Sequence, residues 1–253
     1  MANAPVVALA GPDYVPGVAA SPADRARATN GPDFGVITPL VHVGCKKNAF
    51  CDDFEDVDPG SRWTSSVVTA GTVEFVGPSS SLGMRALQTK TSGAGASAYL
   101  TLAGADLGKH WVGALSMTFR VDAVPTTLIG GPEIAVIDAN GATTRIGFSV
   151  RPDGIAVHQQ FEACSGPTCT PRSDLVTDVK PGEWRRLTVA VEAGNAAPPY
   201  GRIEVTVDGG DIILLPLAVT PFDGKAEVRA GITVADAAPA TVRIDDVVFF
   251  SKQ

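Results

Sequence analysis

The chain has 253 residues, 45% of them hydrophobic and 19% charged, which is enough apolar material for a sizeable core and excludes a wholly disordered chain. Its 20 Lys and Arg against 27 Asp and Glu give a formal charge of −7, which argues against a duplex nucleic-acid partner, since that needs a phosphate-neutralising basic face. With 27 glycines and 19 prolines, turns should be many and long helices few, and no apolar run approaches the roughly 18 to 20 residues of a membrane span.

Residues 1–44 carry Pro5, Pro12, Pro16, Pro22, Pro32 and Pro39 among scattered Ala and Gly, with no sustained period. They read as a flexible spacer, with one short strand expected at 35–43, ahead of a single folded domain at 45–253. The opening Met-Ala-Asn-Ala-Pro has no basic region, and the apolar stretch 6–9 is too short for a signal core. Four cysteines stand as two close pairs, Cys45/Cys51 and Cys164/Cys169. Neither pair has zinc-knuckle spacing, and of the three pairings available the two local ones are expected, each stapling a loop. That implies an oxidising, extracytoplasmic compartment, with any signal removed ahead of this numbering.

From Phe50 onward short alternating segments take over. Leu115, Met117, Phe119 and Val121 alternate with Ser116, Thr118 and Arg120, a period of two that predicts a half-buried strand. Ile146, Phe148 and Val150 do the same against Arg145, Gly147 and Ser149. Arg151-Pro152-Asp153-Gly154 then supplies a turn, and Ile155, Val157 and Phe161 follow on the next strand. Further strands are expected at 187–191, 203–207, 212–217, 228–234 and 242–250, with a hairpin signal in Val207-Asp208-Gly209-Gly210. About a dozen strands and no amphipathic helix predict an all-β sandwich or barrel.

The order of landmarks carries a resemblance. Cys51-Asp52-Asp53-Phe54-Glu55 is followed by Trp63, then Lys109-His110-Trp111-Val112, then Pro181-Gly182-Glu183-Trp184-Arg185-Arg186-Leu187, and finally Val242-Arg243-Ile244-Asp245-Asp246-Val247. Over roughly residues 50 to 251 this resembles the concanavalin A-like lectin/glucanase superfamily, including laminin-G-like bacterial surface domains. The resemblance implies two packed antiparallel sheets in a jelly roll, with first and last strands adjacent. It also implies that Trp184 packs in the core or at an edge. The superfamily holds lectins, glycosidases, lyases and inert adhesion modules, so the fold does not give the function.

Three chemistries are open on such a frame. The glucanase branch carries Glu-x-Asp-x-x-Glu; here Glu133 matches the first position, Ala135 replaces the middle Asp, and Asp138 replaces the final Glu. A retaining mechanism needs its two carboxyls roughly 5 Å apart, and the shorter Asp138 would misalign them. Alternatively it simply opens a turn. Second, Arg145, His158 and Gln160 fall on one face of the hairpin around Pro152-Asp153-Gly154, opposite Phe148 and Val157, with Arg120 and Glu162 on outward faces. Such a cluster could neutralise an acidic sugar's carboxylate and move a proton, as polysaccharide lyases do. Alginate-lyase-like jelly rolls place such residues on the concave sheet, but their Gln-x-His order is absent here, and Tyr99 or Tyr200 would have to be brought in by the fold. Third, if first and last strands pair, Asp53 and Asp245 could approach a structural Ca²⁺. Trp63 and Trp111 are candidates for stacking on sugars. The expectation is an exported, non-catalytic module recognising glycan through Arg120, Arg145, His158, Gln160 and Glu162. The alternatives are a carbohydrate-active enzyme, lyase or glycosidase, with Glu133, Asp138 or His158 as catalytic candidates, and a structural domain without small ligand.

Overall fold

The computed structural model describes residues 49–77, 85–108, 110–161, 172–196, 199–218 and 224–252. The expected spacer, Cys45, Cys164, Cys169 and Glu162 lie outside the described residues. Cys51 is disulfide-bonded.

All regular structure among the described residues is strand. In chain order these are β1 (Phe50–Asp52), β2 (Ser65–Thr69), β3 (Gly71–Val76), β4 (Ala86–Thr91), β5 (Ala96–Leu107), β6 (Trp111–Val121), β7 (Ile129–Ile137) and β8 (Thr143–Arg151). There follow β9 (Gly154–Phe161), β10 (Arg172–Thr177), β11 (Trp184–Ala193), β12 (Gly201–Val207), β13 (Ile213–Pro216), β14 (Gly224–Ala235) and β15 (Ala240–Lys252). One sheet runs β13-β12-β11-β6-β15-β4-β3, with β1 also paired to β15; the other runs β10-β9-β8-β7-β14-β5-β2. The pairings are antiparallel throughout, and the result is a jelly-roll sandwich.

The period-two pattern explains why the sheets face each other. On one side Leu115, Met117 and Phe119 of β6, Leu187, Val189 and Val191 of β11, and Val242 and Ile244 of β15 are buried. On the other, Ile134 and Val136 of β7, Ile146, Phe148 and Val150 of β8, and Val228, Ala230 and Ile232 of β14 meet them. Each large aliphatic or aromatic side chain so buried contributes about 1.5–3 kcal/mol. The hairpin signal at 207–210 is a two-residue turn: Gly210 N–H donates to Val207 O at 2.9 Å, and Asp208 and Gly209 both have positive φ, 53° and 69°. That backbone twist suits adjoining antiparallel strands and favours Asp-Gly.

First and last strands do pair, Phe50 with Phe249 and Asp52 with Val247. The landmark after β1 is a buried anchor. The Trp63 indole N–H donates to the Asp52 carboxylate at 2.7 Å, and the Phe54 amide donates to it at 2.9 Å. Trp63 stacks on Phe54 at 6.3 Å and meets Phe50 edge-on at 5.1 Å. Trp63 and Trp111 are therefore core residues, buried rather than presented to a sugar. Burial pushes the Asp52 carboxyl up, against its two hydrogen bonds.

Replacing Asp52 by Ala leaves the indole and the amide without their acceptor inside the core. Urea denaturation should show a loss of about 1–3 kcal/mol relative to the parent chain, and an unchanged midpoint would refute the anchor.

Candidate functional site

Register in the seven-stranded sheet sets a polar row on its outer face. Ser65 of β2 lies opposite Thr101 of β5, Thr101 opposite Arg229 of β14, and Arg229 opposite Glu133 of β7. The row continues through Gly147 of β8 to His158 of β9 and Ser173 of β10. Beside it a second row places Glu227, Ala135, Arg145 and Gln160 across β14, β7, β8 and β9. These residues lie on the face opposite Val228, Ile134, Phe148 and Val157, because alternation along every strand sends the neighbours inward.

Glu133 is the centre. It is 1% exposed although it belongs to the outer face. Its Oε2 lies 3.0 Å from His158 Nε2, and its Oε1 accepts from Arg229 Nη1 at 3.0 Å. Arg145 Nε stands 3.7 Å from the same Oε1. The strands come this close because residue 147 is glycine. A Cβ there would lie 2.4 Å from Pro132 O and 2.5 Å from the Glu133 Cα, both backbone atoms that cannot move aside. The β7–β8 register also shifts between Gly130 and Glu133, which re-aims the carboxylate.

The charges around Glu133 decide its state. Burial pushes the carboxyl up, but the hydrogen bond and charge of His158, with Arg145 and Arg229, outweigh it and hold it below the ordinary glutamate value. Burial likewise works against the Arg229 charge, and Glu133 and Glu227 more than restore it. Arg229 Nε donates to Glu227 at 2.7 Å, and its guanidinium lies 5.7 Å from the centre of the Tyr99 ring. Burial raises the Tyr99 phenol above its ordinary value, with Arg229 opposing, so the phenol keeps its proton at neutral pH. An ionised carboxylate only accepts, so His158 donates from Nε2 and carries its lone pair on Nδ1 when neutral. Nδ1 is buried with no hydrogen-bond partner among the described residues. The face thus assembles an imidazole, a protonated phenol, two guanidiniums and the Gln160 amide.

Of the residues expected from sequence, Arg145, His158 and Gln160 share this face, as the alternation predicts. Arg120 does not. It belongs to β6 in the other sheet, paired with Asp122 at 2.9 Å and lying 5.9 Å from the Trp184 ring centre. Trp184 is half-buried, packed on Arg120 rather than in the core. The glucanase pair is also corrected. Asp138 lies just past β7 and accepts from the amides of Asn140 and Ala142 at 2.8 and 2.7 Å, so it caps a turn. Five residues of strand separate it from Glu133 by about 16 Å, far more than the roughly 5 to 9.5 Å of glycosidase pairs. Tyr200 lies outside the seven-stranded sheet, in the turn where its amide bonds Leu217 O. Asp53 is exposed and accepts from the Glu55 amide, and Asp245 is buried and accepts from the Asp246 amide. Among the described residues no group of three or more His, Cys, Asp or Glu is arranged to hold a metal ion.

Sequence reasoning missed Arg229 and Glu227, and missed that Glu133 is the partner of His158. A signal existed: Glu227 and Arg229 alternate with Val228 and Ala230 as cleanly as Arg145 does with Ile146. What alternation does not give is which strand lies beside which, and β14 sits between β5 and β7.

No protein-family model and no curated protein matches the chain. Solved structures do. Endo-β-1,4-glucuronan lyase from the fungus Trichoderma reesei is 15% identical, with a TM-score of 0.55 over 79% of this chain and 94% of that one. A cellulose-induced protein, Cip1, is 13% identical, with a TM-score of 0.53 over 79% and 96%. A family 7 alginate lyase, A1-II′, is 15% identical, with a TM-score of 0.50 over 70% and 83%. At such identities the likeness shows the fold, a concanavalin A-like jelly roll. It also corrects the expectation of a non-catalytic glycan module, because two of these three neighbours are polysaccharide lyases.

The Glu133 charge gives a pH signature. A carboxyl held below its unfolded value adds stability above about pH 4.3, and that stability is lost as pH falls through the lower folded value. Glu133→Gln should cost about 3 kcal/mol at neutral pH by stranding buried cations. Its thermal midpoint should then vary less than the parent's on acidification. Parallel acid limbs in a scanning-calorimetry series would sink this account.

Proposed function

We propose that the chain is a polysaccharide lyase acting on a uronate-containing glycan, with its site on the outer face of the seven-stranded sheet. The observation that carries this reading is the convergence of Arg145, Gln160, His158, Arg229 and Tyr99 from four strands around one buried carboxylate. The fold neighbours support it, since a glucuronan lyase and an alginate lyase share the jelly roll. This reading favours the lyases of the concanavalin A-like superfamily over its laminin-G-like surface domains. The disulfide at Cys51 supports an exported protein.

Eliminative cleavage needs three things. The uronate carboxylate must be neutralised so that the proton on the adjacent carbon becomes acidic, and Arg145 with the Gln160 amide supplies the donors. A base must take that proton, and His158 is the imidazole on this face. Its Nε2 is engaged by Glu133 and its Nδ1 is buried, so the ring must shift when substrate binds. The electron pair then forms the ring double bond as the glycosidic C–O bond breaks. The leaving oxygen takes a proton, for which Tyr99, a phenol that keeps its hydrogen at neutral pH, is suited. Arg229 is a positioning residue: clamped between Glu133 and Glu227, it packs against the Tyr99 ring.

The test is a panel of uronate polysaccharides, followed by the ultraviolet absorbance of the unsaturated product. The parent chain should give that product from at least one member. His158→Ala and Tyr99→Phe should each lower kcat by about 10²-fold or more, with smaller changes in KM. Binding without any unsaturated product would overturn the lyase reading, and reducing ends without absorbance would favour a hydrolase.

A further inference from the structure

The charge balance of this face narrows the substrate class, and the argument rests on the face being the glycan site. Arg229 is held between two carboxylates, Glu133 at 3.0 Å and Glu227 at 2.7 Å, and is 9% exposed. Glu133 also takes Arg145 at 3.7 Å. Lys225, at the exposed end of β14, has Asp106 opposite it in register. Arg151, farther along β8 with the same parity as Arg145, is paired with Asp153 at 2.8 Å, so among the described residues the face sets four cations against four carboxylates, on a chain whose net charge is −7. A glycan with a carboxylate on every sugar would meet the Arg145 guanidinium and then a wall already neutralised or negative, Arg151 being held by Asp153. Like-charge juxtaposition of that kind selects against a partner more strongly than it tunes affinity for the right one.

The flanks of the row are neutral. Ser65 Oγ and Thr101 Oγ1 share a hydrogen bond of 2.6 Å on the β2–β5 side, and Ser173 continues the row beyond His158. Strands lie about 4.8 Å apart, close to the length of one pyranose. A glycan laid across the strands thus meets an exposed hydroxyl at Ser65 on one side of the Arg145–Gln160–His158 group and an uncharged position at Ser173, whose hydroxyl is buried, on the other. We propose that the site takes a glycan whose uronates are separated by neutral sugars, one carboxylate seated at Arg145 and Gln160 with neutral sugars on the Ser65–Thr101 and Ser173 flanks.

The experiment measures Kd by calorimetry on the intact chain, using hexasaccharides in which glucuronate alternates with a neutral amino sugar, and hexamannuronate and hexaglucuronate. Turnover of the same sugars is followed by ultraviolet absorbance. The alternating hexamer should bind about tenfold tighter or better, and Glu227→Gln, which unburdens Arg229, should shift the preference about threefold toward the polyuronates. Equal or tighter binding of a polyuronate overturns the inference, as does an unmoved preference in Glu227→Gln. Preference in binding with no cleavage of any sugar upholds this inference and sinks the lyase reading. Cleavage with a polyuronate preference does the reverse, and no binding to any hexamer sinks both.

Discussion

The seven-stranded sheet is organised around a carboxylate that water does not reach. An ionised glutamate removed from solvent costs several kcal/mol unless cations and hydrogen bonds replace its hydration. Glu133 obtains those replacements from β8, β9 and β14. The order β9-β8-β7-β14 is the arrangement in which residues 25 and 96 positions away deliver a hydrogen bond to each of its two oxygens. Gly147 follows from the same constraint: any side chain there would hold β8 away from the Glu133 backbone.

The opposite outer face, on the eight-stranded sheet, is polar for a plainer reason. Asp122 bridges Arg120 at 2.9 Å and Arg243 at 3.1 Å, and Arg186 donates to Ser116 while Thr188 bonds the same hydroxyl. The charged groups Arg120, Asp122 and Arg243 are partly exposed, so each ion pair contributes little to stability. This face also buries carboxylates, Glu204 with Arg202 at 3.7 Å and Asp245 against the Asp246 amide, whereas Glu133 gathers two guanidiniums and an imidazole. Two faces with similar alternation in the sequence thus differ physically. One spreads its charges over several separate pairs, and the other gathers them around the single carboxylate of Glu133.

That difference marks how far the sequence could be read. Alternation at Leu115–Val121, at Ile146–Val150 and at the closing strand identifies sandwich strands and the inward face, because the pleat ties side-chain direction to parity. It also brings Arg145, His158 and Gln160 together, since a tight turn at Pro152-Asp153-Gly154 fixes the register of β8 against β9. It fails where partners are remote. Arg120 has the right parity but sits in the other sheet, and Glu133 looks like the polar end of an apolar strand until β14 is laid beside it. Trp184, for which the resemblance left core or edge open, is turned outward onto Arg120 by its even-numbered position.

The position of β14 has a kinetic consequence. It pairs with β5 on one side and β7 on the other, so until it arrives both strands present an open edge. Closing that gap joins segments roughly a hundred residues apart, a non-local step of the kind that slows the folding of β sandwiches. During that interval the edges beside Tyr99 and Glu133 are templates for pairing with another chain. Docking of β14 therefore seals the sheet against association and completes the Glu133 cluster in one event, so a chain arrested before it would lack the site and carry two sticky edges.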